Sequence, residues 1–341
     1  MVQLYSKVTD MNKDNDMSND DVSEYNNYNL NKCLEEYYYD DNIVHNKINS
    51  IEMDIFDEMN GSNLSMKSVV KKKKKWKKWF LIFLTLVFIV VLVYSLLKIL
   101  FWFKDNMDMS SVIKEISENI EVEEVIDDEN TELVNEEEDE LSDYWYYITF
   151  PLINVDIGNL KVKNKDTVGW INVNNTNINY PFVLANDNNY YLNHSFDNSV
   201  NKAGWVFLDY RNDNNLSDKN NIIYAHSRLD KTMFGSLNDT LKYSWYSNKD
   251  NHIIKISTEK ENTLWQIFSV YKIPVESYYI TTNFLNDSAF EDFLDVIKKR
   301  SVFDFNTNLT KDDRILTLST CYSDKERTVI HAKLIKRSLS N

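Results

Sequence analysis

The feature that most limits what this chain can become is an uncharged apolar run from Trp79 to Leu97, in which Thr85, Tyr94 and Ser95 supply the only hydroxyls. About nineteen such residues are enough to cross the hydrocarbon core of a bilayer as a helix. Lys71 to Lys75, Lys77 and Lys78 stand immediately before the run, and only Lys98 and Lys104 follow it closely. Positive charge stays on the cytoplasmic side, so residues 1–78 are expected inside the cell and the remainder outside. Trp76, Trp79, Trp102 and Phe103 stand where interfacial aromatics belong, which supports a retained anchor. A cleaved signal peptide fits poorly, because the run starts late, is long and lacks a small-residue cleavage site. Residues 79–103 are therefore read as a transmembrane signal anchor of a single-pass cell-membrane protein.

Charge is unevenly spread. The net charge of -15 over 341 residues comes largely from Glu115 to Asp143, a stretch with roughly fifteen carboxylates and no lysine or arginine. The acidity is local and says little about a substrate. No basic patch interleaved with aromatics occurs in the C-terminal half, which argues against nucleic acid as a partner. The chain has 2 cysteines, Cys33 and Cys321, and the anchor places them on opposite sides of the membrane. Cys321 is then a lone thiol in an oxidising compartment, whether an intermolecular disulfide partner, an inert buried group or a reactive one.

Four segments follow. Residues 1–78 form a cytoplasmic tail, rich in Asn, Asp, Ser and Tyr and expected to be largely disordered. Ile48, Ile51, Ile55 and Met59 within it have the spacing of a short amphipathic helix. After the anchor, residues 104–150 are expected to form an acidic extracellular stalk. From 151 to 341, short β-branched and aromatic runs alternate with Asn, Asp and Gly turns, the pattern of a mainly β domain. Strands are predicted over 167–173, 204–210, 221–226, 252–258, 264–273, 314–320 and 327–336. One helix is predicted from a cap at Asp287 or Ser288 to about Arg300, with Phe290, Phe293, Leu294 and Ile297 on one face. So many closely spaced strands with so little helix favour a closed or sandwiched sheet.

Three residues at strand ends carry chemistry. The strand ending in Thr320 delivers Cys321, a polar turn follows, and the next strand opens with Arg327. The strand Asn221 to His226 likewise delivers its histidine at its C-terminal end. A thiol attacks a carbonyl, an imidazole moves protons and a fixed cation stabilises an oxyanion, so these are the parts acyl transfer needs. A lone strand-end cysteine is more often structural, and spacing alone leaves the matter open. His194 and His331 compete with His226. No third and fourth ligand stand close enough to Cys321 for a metal site, and no cofactor is expected. Cys321 lies too near the C-terminus for the papain arrangement.

The segment Thr317-Leu318-Ser319-Thr320-Cys321, with Arg327 downstream, resembles the cysteine motif of sortases. Asp166 to Ile171, Thr176 to Pro181, Asn188 to His194, Asn201 to Gly204, Phe207 to Tyr210 and Met233 to Leu237 are similar, in order, to a class B sortase domain. The likeness covers about residues 152–337. It implies an eight-stranded sortase-type β-barrel with a few helices, and Cys321, His226 and Arg327 as the catalytic set. Leu192, Asn193, Tyr224, Ser319 and Thr320 become candidate substrate contacts, with Tyr190 to His194 and Ile273 to Ile280 as groove walls. The implied activity is cleavage of a C-terminal sorting signal on secreted proteins through a thioacyl intermediate on Cys321. The acyl group then passes to an amine of cell-wall peptidoglycan or its lipid-linked precursor. A catalytically silent surface-binding module and a pilus-polymerising transpeptidase are the alternatives. Ala225 departs from the family, where glycine commonly precedes the histidine.

Overall fold

The structure is a computed structural model that describes residues 70–127, 129–134, 142–321 and 325–340. The helix expected near 43–59 and most of the tail lie outside these residues. The chain divides into two units, residues 1–91 and 92–341. The described part of the first is helical and belongs to α1 (Val70–Asn119). Among the described residues this is one helix long and apolar enough to cross a membrane. Its large apolar side chains from Trp76 to Phe103 are exposed, as a lipid-facing helix requires.

The second unit is built on a closed barrel. Its strands are β1 (Glu123–Val125), β2 (Thr131–Leu133), β3 (Leu152–Asn154), β4 (Thr167–Val173), β5 (Asn179–Val183), β6 (Phe207–Leu208), β7 (Asn220–His226), β8 (Ile253–Thr258), β9 (Glu261–Pro274), β10 (Ile315–Cys321) and β11 (Glu326–Leu339). The order β10-β7-β6-β5-β4-β8-β9-β11 returns to β10 through the β10–β11 pairing, so eight strands form the ring. Register shifts on β11 after His331 and after Leu334 supply the local bending that closure needs. Alternation along the strands sends Leu316, Leu318, Ile223, Ala225, Ile330 and Ala332 into the barrel core. The opposite face of the same strands is covered from outside by α5 (Asp287–Lys299). Phe290, Phe293, Leu294 and Ile297 of α5 pack with Phe268, Tyr271, Tyr279, Ile315 and Val329. Each such side chain contributes about 1.5–3 kcal/mol on burial. The cap of α5 is Asn286, whose side chain accepts from Ala289 N at 2.9 Å, one residue before the expected Asp287.

Short helices α2 (Tyr144–Tyr147), α3 (Ile157–Lys163) and α4 (Tyr243–Tyr246) pack on the barrel, α2 through Tyr144 and Tyr147 against Ile253, Leu264 and Ile335. The predicted strand over 204–210 shrinks to β6, because Gly204 adopts a left-handed φ of 63° and the chain turns there. Described residues of the expected stalk over 104–150 contribute layers to this unit. Met109, Ile116 and Ile120 join the main core, β1 pairs with β3 and β2 pairs with β11. The acidic side chains reach basic groups of the barrel: Asp127 meets the fully buried Lys336 at 2.7 Å, Glu124 meets Lys255 at 3.4 Å and Glu132 meets Arg337 at 2.7 Å.

His331 proves to be a core residue. It is fully buried, its Nε2 bonded to the Tyr271 hydroxyl and its Nδ1 to the Thr317 hydroxyl, both at 2.8 Å. Burial, reinforced by nearby Arg300, depresses its pKa to about 3. Burial likewise lowers His252 to about 4, where the Tyr147 hydroxyl and the Tyr246 carbonyl hold the ring. In the unfolded chain both histidines take up a proton below about pH 6.5, and in the folded chain they do not. Stability should therefore be full above that value and fall as the pH drops through 6 and 5. The loss is about 2 kcal/mol per histidine by pH 5, before carboxylates titrate. Thermal midpoints of the full chain between pH 7 and 5 test this. The acid loss should shrink by about half in His331→Gln, and an unchanged slope would remove the residue from the account.

Candidate active site

The expected residues converge through strand pairing between segments distant in sequence. β10 runs parallel to β7, and the register sets Ser319 beside Tyr224, Thr320 beside Ala225 and Cys321 beside His226. Adjacent strands lie about 4.8 Å apart, so backbone positions 321 and 226 are neighbours at the same end of the barrel. β10 is antiparallel to β11, with Ser319 opposite Val329. Extended by two residues, that register sets position 321 against Arg327. Three consecutive strands of the ring thus bring thiol, imidazole and guanidinium positions to one rim.

Each of the flanking groups is tied down. His226 is half-buried, and its Nε2 donates to the Leu192 carbonyl at 2.8 Å. The chain beyond it is held by Phe234 N on the His226 carbonyl and by a bridge between Ser227 and Met233. The Asn238 amide links the Ser227 hydroxyl (2.7 Å) to the Thr328 hydroxyl (2.6 Å), fastening the loop after His226 to the residue following Arg327. Arg327 is half-buried, with Nη1 donating to the Glu326 carbonyl at 3.0 Å. His226 also lines a cavity of about 680 Å³ with Lys202, Ala203, Ser227, Arg228 and Trp102, so the imidazole is reachable from outside the barrel.

The candidate substrate contacts divide. Tyr224 and Ser319 share the outer strand face. The Ser319 hydroxyl meets the Tyr279 hydroxyl at 3.1 Å, and Tyr279 belongs to the expected wall over 273–280. Tyr224 donates to Asp209 Oδ2 at 2.9 Å. Burial pushes the Asp209 carboxyl up, but Arg211 and the bonds it receives outweigh this and hold it below its ordinary value. Arg211 grips Asp209 through Nε at 2.8 Å and Nη2 at 2.7 Å, and its Nη2 also donates to the Ile280 carbonyl at 3.0 Å. This network, which the sequence reading missed, joins β7 and the residues after β6 to the expected wall over 273–280. Its signal was the Asp209-Tyr210-Arg211 run, charged residues directly after a buried strand. Leu192 is half-buried and Asn193 is exposed, both in the other expected wall over 190–194. Thr320 is fully buried on the strand face that carries Leu316 and Leu318 into the core, so its side chain lies away from the groove. Its hydroxyl has no partner among the described residues. His194 stacks on Tyr190 with ring centroids 4.0 Å apart and donates from Nδ1 to the Tyr190 carbonyl, which leaves it beside the groove rather than in the cluster.

Residues 171–335 match the sortase domain family. Sortase B of Listeria monocytogenes is 38% identical over 190 residues, covering 53% of this chain and 75% of that protein. Sortase B of Staphylococcus aureus is 41% identical over 179 residues, covering 51% of this chain and 72% of the relative. Among solved structures, a Staphylococcus aureus sortase B–substrate complex is 40% identical, with a TM-score of 0.50 over 53% of this chain and 84% of that one. A Bacillus anthracis protein similar to sortase B gives a TM-score of 0.54 at 31% identity, over 69% of this chain and 97% of the other. A closed eight-stranded barrel with this order of motifs and these relatives leads to one conclusion: the chain belongs to the sortase family, as a class B member, and is a cysteine transpeptidase of cell-wall sorting.

Proposed function

We propose that the chain is anchored in the cell membrane by α1, with residues 1–78 cytoplasmic and the barrel outside. There it cleaves a C-terminal sorting signal of secreted proteins and joins the new carboxyl end to a cell-wall amine, on peptidoglycan or its lipid-linked precursor. The parallel register that sets Cys321 beside His226, with Arg327 next in the ring, is the observation that carries this reading. The Cys321 sulfur attacks the scissile carbonyl, and the developing oxyanion is stabilised by the Arg327 guanidinium. His226 delivers a proton to the leaving amine, and the C–N bond breaks to leave a thioester. The acceptor amine then attacks the thioester and loses its proton to the imidazole, and the thiolate departs. The relatives support both halves of the sequence, since sortase B has been solved with a substrate and with triglycine, a peptide that carries a free amine.

The test uses the full chain in detergent with a sorting-signal peptide and triglycine. Mass spectrometry should show a transient acyl adduct on Cys321, and saturating triglycine should divert product from the free acid to the amide. Free acid alone, with no adduct at any time, would replace the transpeptidase mechanism by simple hydrolysis.

A further inference from the structure

Three successive main-chain carbonyls in the turn Tyr190–Leu192 point toward different parts of the rim. Tyr190 O accepts from His194 Nδ1, Tyr191 O from Trp205 N and Leu192 O from His226 Nε2, each at 2.8 Å. The second and third of these pass close to Gly204. That residue has a φ of 63°, in the left-handed region that glycine occupies without strain. The turn leading to it is fixed by Gly204 N on the Asn201 carbonyl at 3.1 Å and by Asn201 Oδ1, which accepts from Ala203 N at 2.8 Å. A Cβ at position 204 would lie 2.6 Å from Tyr191 O, 2.9 Å from His226 Cδ2 and 3.0 Å from Leu192 O. Side-chain carbons do not come so near such neighbours. To admit one, the imidazole must swing away or the two carbonyls must retreat, and either movement breaks the His226–Leu192 bond.

We infer that Gly204 is a positioning residue for His226: its missing side chain lets the Leu192 carbonyl hold the imidazole as the Nε2–H form, leaving Nδ1 to exchange protons at the rim. The inference rests on His226 being the proton-transfer group. A carbonyl in this place does part of what a carboxylate does behind the histidine of a Ser-His-Asp triad. It selects the tautomer and fixes the ring plane, but adds no full negative charge. Because the acceptor belongs to the main chain, no side-chain substitution at Leu192 removes it, and Gly204 is the position where the arrangement can be broken.

The experiment uses the full chain in detergent, ¹⁵N-labelled at its 5 histidines, with His226→Ala assigning the signal. In the wild type above pH 8, the His226 ring should show a protonated Nε2 and a pyridine-type Nδ1. A predominant Nδ1–H form would overturn the inference, whether or not any variant folds. Gly204→Ala should give mixed tautomers and slow alkylation of Cys321 by iodoacetamide on the order of 10-fold, both variants and control being made in a Cys33→Ser background. Gly169→Ala, in β4, is the control, because a Cβ there would meet Ser257 O of β8 at 2.5 Å, and β5 and β6 stand between β4 and the strand that carries His226. It should lower the melting temperature yet leave the His226 spectrum and the alkylation rate unchanged. If His226→Ala slows alkylation while Gly204→Ala alters neither readout, the positioning role fails and the catalytic assignment stands. If His226→Ala has no effect, the catalytic assignment itself fails.

Discussion

Replacing Cys321 by alanine is expected to abolish acyl transfer outright, and replacing His226 by alanine to slow it by about 10² to 10⁴. The two effects differ in kind. Without the sulfur no thioester can form, and the strand neighbours of position 321 offer an imidazole and, with the β10–β11 register extended by two residues, a guanidinium, neither of which makes a thioester. Without the imidazole the thiol still exists, but both the expelled amine and the attacking amine lose their proton carrier, so every turnover must borrow from water. Single-turnover mass spectrometry separates the cases. Cys321→Ala should bind peptide and never carry acyl mass, whereas His226→Ala should acquire it slowly. Full activity of either variant would move the chemistry elsewhere.

Arg327→Lys is expected to lower kcat by about 10² to 10³, the usual loss when an oxyanion donor is removed. Lysine keeps the charge, so the size of the loss measures geometry. The guanidinium is a planar fork of several N–H donors, of which Nη1 meets the Glu326 carbonyl, while an ammonium is a single mobile point. The melting temperature should change little, because the residue is only half-buried at the start of β11. Wild-type turnover with lysine would leave Arg327 a structural role.

The strand ends that carry Cys321, His226 and Arg327 were legible because each closes or opens a run of β-branched and apolar residues. Nothing in the spacing foretold that β7 and β10 pair in parallel. That fact depends on the chain between them folding back as β8, β9 and α5, and the likeness to a known family anticipated only its result, His226 grouped with Cys321. β5 escaped the strand reading because Pro181 interrupts it, and proline lacks the N–H a ladder uses. β1, β2 and β3 are three residues each, too short for alternation to register. The acidic run was read by its charge, as a stalk. Its partners, Lys255 and Lys336, lie far along the sequence and are buried, where a local reading does not look for them. The Leu192 carbonyl was invisible for a simpler reason: every residue has one.

The place of β2 has a practical side. β10 begins at Ile315, opposite Lys333, so the far end of β11 extends past its neighbour with one flank open. Thr131–Leu133 fill that flank opposite residues 336–338. A soluble domain trimmed to start near residue 150 would bare this length of unpaired strand and leave Lys336 buried with no counter-ion. Bare edges recruit other chains. The acidic run is in that sense a seam cover, and a preparation that keeps residues from 104 onward should remain monomeric where the shorter one sticks to itself.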